Sequence, residues 1–289
     1  MKRAKPSSPE SFERNLIIVV SLLCAGILIY LGIKGPMYLN DIVYKTHPSV
    51  NNQLIAQDFV NVFAIAPILI IGAFALSARK RYAKYLLILT PLFLIYYALS
   101  YALGWEWMAP NYSGNSEHYF FYYLAVLIFA LLIMMYCLSA FSSHRKPHFG
   151  KKPLLIYSIC FAVFMSLFGM MWMKEIFTVF ATGTARGYDL SPTAFWLVRT
   201  FDLGFSIPLG FISLYLLWVR PTSSFPLQML IYGFFLSMSV VVCAMAGVMY
   251  FNNDPSFELA SSAVFFVLMA IVFAGYIFIL KSYSKPKRN

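Results

Sequence analysis

The chain has 289 residues, of which 61% are apolar and 11% charged, and its formal net charge is +11. An ordinary soluble domain carries about 25% charged residues, so the composition excludes a soluble enzyme or binding domain. The basic excess falls in separate clusters beside apolar runs, which is not the footprint of a nucleic-acid binder.

Crossing a bilayer core takes about 20 consecutive apolar residues, and runs of that length recur along nearly the whole sequence. They predict an all-α, polytopic transmembrane bundle of eight spans over residues 15–35, 58–78, 84–104, 119–141, 153–173, 194–219, 226–250 and 259–280. Residues 1–14 form a tail. Residues 15–141 make a first four-span half, 142–152 a basic linker, 153–280 a second four-span half and 281–289 a basic tail. The first span follows Lys2, Arg3 and Lys5 as a signal peptide would, but it is too long and "IKGPMY" offers no small-residue cleavage site, so it reads as an uncleaved anchor.

Seventeen of the 22 basic residues fall in the two tails and the loops after the second, fourth and sixth spans, whereas only Glu10 and Glu13 of the 11 acidic residues do. Lys and Arg close to spans stay on the cytoplasmic side, which predicts that both termini are cytoplasmic. Cys24, Cys137, Cys160 and Cys243 all fall within predicted spans, so no disulfide framework is expected and they read as small apolar residues.

An internal match links the second and sixth spans, "QDFVNVFAIAPILIIGAFALSAR" and "VRTFDLGFSIPLGFISLYLLWVR". Superposing Pro67 on Pro208 also superposes Arg79 on Arg220, Asp58 on Arg199 and Asn61 on Asp202. It points to tandem four-span halves related by an axis along the membrane normal. If these two spans pack together, Asp58 faces Arg199 with Asn61 and Asp202 one turn deeper. Asp202 precedes Arg220 by 18 residues, roughly 27 Å at about 1.5 Å per residue, which places it near the outer boundary of the hydrocarbon.

Charges inside spans cost about 2.5–3.5 kcal/mol at the centre and usually face a bundle interior or watery cavity. The functional reading is an outward-facing polar pocket lined by Asp58, Asn61, Arg199, Asp202, Ser206 and Tyr101, with Glu106, Glu117, His118 and Glu175 within reach of its rim. The plain alternative pairs Arg199 with Asp202 on their own helix. A catalytic pair is a third reading. Trp105, Trp107, Tyr112, Tyr119, Tyr122 and Tyr123 cluster at the outer ends of the third and fourth spans, where an aromatic belt accounts for them. Pro67, Pro91 and Pro208 interrupt helices. No HExxH, paired-histidine, GxSxG or phosphate-loop pattern occurs, so no catalytic residue, metal site or cofactor is assigned.

The order Asp58, Pro67, "LSARKRYAKYLLILTPLFLIYYALSYALG", "HYFFYYLAVLIFALLIMMYCLSAF" and "RTFDLGFSIPLGFISLYLLWVRP" resembles a family of uncharacterised multi-pass bacterial membrane proteins. The resemblance covers roughly residues 57–141 and 195–250, with Asp58-Phe standing where that pattern has Asp-Leu. It implies a bacterial inner membrane and carries no activity. The leading expectation is therefore binding or transport of a small polar solute, an ion or a lipid headgroup, with membrane lipids as partners. A membrane-embedded enzyme acting on a lipid at the outer leaflet, and a structural or signalling subunit, are the alternatives.

Overall fold

The computed structural model describes residues 8–104, 111–141, 147–255 and 257–283. The described residues are helical with short connections and no strand. Among the described residues eight helices are long and apolar enough to cross a membrane: Glu10–Lys34, Asn51–Ser77, Ala83–Leu103, Ser116–Ala140, Lys151–Thr182, Pro192–Val219, Phe225–Phe251 and Ser262–Tyr283. They are numbered below as the first to eighth spans.

Two boundaries differ from expectation in ways that move functional side chains. The second span begins at Asn51, just after the 3-10 turn Pro48–Val50. Nothing in "NNQLIAQDFV" breaks a helix, so Asp58 lies two turns inside the span instead of opening it. The fifth span runs to Thr182 and ends on Gly183, whose φ of 72° provides a left-handed cap. Glu175 is thereby a helical residue rather than a loop residue.

Hydrogen bonds between connections show how the spans alternate. At one end Lys84 Nζ donates to the Ala140 carbonyl, the His148 N–H to the Ser282 carbonyl, and Ser224 and Tyr283 share a hydroxyl bond of 2.8 Å. At the other, the Val43 N–H donates to Asn115 Oδ1, Lys45 pairs with Glu117 at 3.1 Å, and Asn52 Nδ2 donates to Asp254 at 2.6 Å. The first set joins the loops after the second, fourth and sixth spans to the last turn of the eighth. The second set joins the loops after the first, third and seventh, and is called the loop-rich end below.

Burial ranks the helices. The seventh span is the hub, with 61% of its apolar window buried, against 22% for the fifth and 11% for the eighth. It has no charged residue from Phe225 to Phe251 and packs on the second and third spans. At Gly233 the approach is closest: a Cβ there would lie 2.5 Å from Leu89 Cα, in the non-helical break before Pro91. Close helix packing therefore does not divide between residues 15–141 and 153–280. The first four spans and the seventh form a dense core, and the fifth, sixth and eighth surround its open side.

The second and sixth spans share a backbone irregularity. Each contains one π-helical turn, Asn61–Ile65 and Asp202–Ser206, followed immediately by Ala66-Pro67 or Ile207-Pro208. Proline has no N–H to return to the preceding turn, and its ring crowds the carbonyl four residues back. A wider turn relieves that crowding, and the N–H groups of Ala66 and Ile207 bond five residues back, to the carbonyls of Asn61 and Asp202. The sequence register that aligned Asn61 with Asp202 thus aligns two identical interruptions.

Candidate functional site

The predicted polar residues form two clusters. The first surrounds Asp58 and is almost sealed, with Asp58 and Asn61 each 1% exposed. Gly32 and Gly35 let the first span and its following turn close over the carboxyl; a Cβ on Gly35 would stand 2.2 Å from Asp58 Oδ2. The Met37 backbone N–H is directed at the same carboxyl. Four phenols lie within electrostatic range of it: Tyr97 and Tyr101 from the third span, Tyr123 from the fourth and Tyr44 from the loop after the first.

Within this chamber the Tyr44 and Tyr123 hydroxyls bond to each other at 2.7 Å, and Tyr101 packs edge-on against Tyr44 with centroids 5.3 Å apart. Burial pushes the Tyr44 phenol well above its ordinary range. Gln57 Nε2 donates to Asn61 Oδ1 at 3.1 Å. Asp58 Oδ2, Asn61 Nδ2 and the Tyr97 hydroxyl are buried without a hydrogen-bond partner. Tyr123 therefore belongs to this interior network and not to an aromatic belt, whereas Tyr30 and Tyr122, 5.0 Å apart, are partly exposed at the loop-rich end.

The second cluster is built on Arg199. Its guanidinium is ion-paired with Glu175, donates to the Phe195 carbonyl at 3.2 Å, and lies 3.6 Å and 4.4 Å from the ring centroids of Phe195 and Trp172. Helical side chains lean toward their own N-terminus, which carries Arg199 toward the loop-rich end and leaves Asp202 a turn deeper. Asp202 lies beside the Ser206 hydroxyl and the Trp172 indole, within electrostatic range of Arg199 and Tyr96.

The expected facing of Asp58 and Arg199 is not formed. Among the described residues no hydrogen bond or ion pair joins them, and the Arg199–Asp202 pairing on one helix is not formed either. The seventh span occupies the side of the second span where the sixth was expected, and the helical extension of the fifth span supplies Glu175 as the counter-ion.

Between the clusters lies a cavity of about 520 Å³. Gln53, Gln57, Ser100, Tyr101, Glu175 and Asp202 give it a polar patch, while Phe164, Phe168, Phe234, Met238, Val242 and Phe265 are among its apolar walls. A second, apolar recess of about 500 Å³ runs between the fifth, seventh and eighth spans and past Tyr157, Cys160 and Gly275. Phe164, Phe235 and Val272 wall both. The two spaces are neighbours, one with a polar patch and the other apolar.

Of the six predicted pocket residues, Tyr101 and Asp202 line this cavity, and Glu175 from the predicted rim joins them. Asp58 and Asn61 lie behind Tyr101 and Gln57, Arg199 is held aside by Glu175, and Ser206 supports Asp202. Glu117 pairs with Lys45 near the loop-rich surface, and the His118 N–H bonds only as far as Asn115, so neither reaches the cavity. Glu106, Trp105 and Trp107 lie outside the described residues. Gln53, Gln57, Ser100, Tyr96 and Trp172 were not anticipated; the signal for the glutamines was their spacing of four within an apolar helix. Among the described residues no group of three or more His, Cys, Asp or Glu side chains forms a metal-holding cluster. Compared with protein-family models, curated proteins and solved structures, the chain matches none.

Proposed function

We propose that this integral membrane protein binds an amphipathic lipid, with the headgroup at the polar patch and the chain in the recess between the fifth, seventh and eighth spans. One observation carries the reading: the polar cavity shares Phe164, Phe235 and Val272 with the apolar recess. A small polar solute has no use for walls that are mostly aromatic and aliphatic, whereas a chain buried along them contributes about 0.8 kcal/mol per CH₂. With Glu175 paired to Arg199, Asp202 is the carboxylate that favours a headgroup carrying an amine, and Gln53, Gln57 and Ser100 supply neutral donors and acceptors.

The distribution of basic residues supports an orientation with both termini in the cytoplasm, and the resemblance noted from the sequence is what suggests a bacterial inner membrane. The headgroup patch then lies toward the outer leaflet. The shared π turn and proline support descent of the second and sixth spans from a tandem repeat. The test is native mass spectrometry of protein incubated with phosphatidylethanolamine or phosphatidylglycerol. Retained phosphatidylethanolamine that is lost in Asp202→Ala agrees with the proposal, and equal retention in both proteins removes it.

A further inference from the structure

Asp58 plays no part in the lipid site and, among the described residues, is the most enclosed acidic or basic side chain. Every element around it withholds a compensating cation. The first span contributes Gly32 and the turn after it Gly35; the loop contributes Tyr44 and the Met37 N–H; the third and fourth contribute Tyr97, Tyr101 and Tyr123. The seventh span, packed on the second, has no charged residue. Lys34 and Lys45, the basic residues nearest in sequence, pair with Asp41 and Glu117. No Lys, Arg or His side chain makes an ion pair with Asp58 among the described residues.

An ionised carboxylate without a partner is not sustained in an apolar interior; it acquires either a cation or a proton. A metal cation needs several oxygens arranged around it. Asp58 Oδ2, the oxygen with no donor, is instead pressed against the Gly35 backbone, in space too small for a methyl group. A proton needs no such space.

We propose that Asp58 is an occluded proton-binding site, separate from the lipid site and linked to it through Tyr101. Tyr101 lines the central cavity and also packs against Tyr97 and Tyr123, with centroids 4.5 Å and 6.0 Å away. On the opposite side Tyr44 lines a surface crevice of about 400 Å³ and bonds to Tyr123. Asp58 is thus within electrostatic range of a phenol that lines each of two open spaces, Tyr101 at the central cavity and Tyr44 at the crevice. Protonation adds one proton from solvent to the carboxylate and releases it the same way, without any other reactant.

Infrared difference spectroscopy of the full chain in nanodiscs, titrated from mildly acidic to mildly alkaline pH, tests this directly. The expected result, read in an Asp202→Asn background so that the other buried carboxyl is silent, is a protonated-carboxyl C=O band that shifts in D₂O and disappears in the Asp58→Asn/Asp202→Asn double variant. Asn reproduces the shape of a neutral acid, so Asp58→Asn is expected to unfold at nearly the wild-type temperature. A band that survives in the double variant, or an Asp202→Asn protein with no such band, overturns the proposal. A band abolished by sodium at fixed pH assigns the site to a metal cation and overturns it as well. The lipid measurement is independent: lipid retention failing while this band behaves as expected would remove the lipid reading alone.

Discussion

The second and sixth spans carry the same interruption, a π turn followed by proline, yet the polar residues at the two turns live in opposite surroundings. Around Asn61 and Asp58 the first span and the turn after it bring glycines to the contact, so backbone closes over the carboxyl. Around Asp202 the neighbours are the long side chains of Trp172, Arg199 and Glu175, and the carboxyl opens on a cavity. A common backbone device therefore yields an occluded site or an open one according to the size of what packs against it.

That contrast is sharpest in its glycines. Gly35→Ala drives a methyl group against Asp58 Oδ2 and the Leu31 carbonyl, with an expected loss on the order of 2 kcal/mol, readable as a lowered unfolding temperature in detergent. Gly204→Ala, in the π turn of the sixth span, meets nothing within 4 Å and is expected to be neutral or to stabilise by up to about 1 kcal/mol. Equal losses at both positions would erase the distinction between the two surroundings.

Charge substitutions continue the comparison at smaller scale. Arg199→Gln removes the pairing with Glu175 and the stacking on Phe195 and Trp172, and because Glu175 is half-exposed the expected cost is about 1–2 kcal/mol. The accompanying Glu175→Gln change should recover part of that loss in a double-mutant cycle; strict additivity would show that the pair is not coupled.

The eight spans were legible because length and apolarity are what a bilayer demands of a helix. The pocket was only half legible. Asp202 and Tyr101 were found by polarity within an apolar run, but placing Asp58 opposite Arg199 assumed that repeat-related spans touch. The uncharged seventh span gave no polar signal that it would occupy that position. Glu175 falls outside the expected fifth span, 153–173, because Lys174 and Glu175 interrupt the apolar run, yet charges in a helix are tolerated when one of them finds a partner on a neighbouring span. Tyr123 looked like a headgroup-level aromatic, and nothing in its neighbours along the chain distinguishes it from Tyr122; only the loop carrying Tyr44 does.

The smallest expected effect concerns Tyr44. Its phenol is raised by burial, so the folded protein keeps it neutral where an unfolded chain ionises, above about pH 10. Its contribution is present below that pH and declines as pH rises toward the folded value. Tyr44→Phe loses the bond to Tyr123, about 1 kcal/mol, and is expected to flatten the alkaline fall in unfolding temperature. An unchanged slope would place the alkaline sensitivity elsewhere.

The central claim is that the cavity beside Asp202 and the recess beside Cys160 form one continuous lipid site. Native mass spectrometry on the wild-type chain and on Phe235→Trp, which adds bulk at the shared wall, tests it most directly. The account predicts a retained phosphatidylethanolamine in the wild type and its loss in Phe235→Trp at an unchanged unfolding temperature. Undiminished retention in the stably folded variant would contradict it.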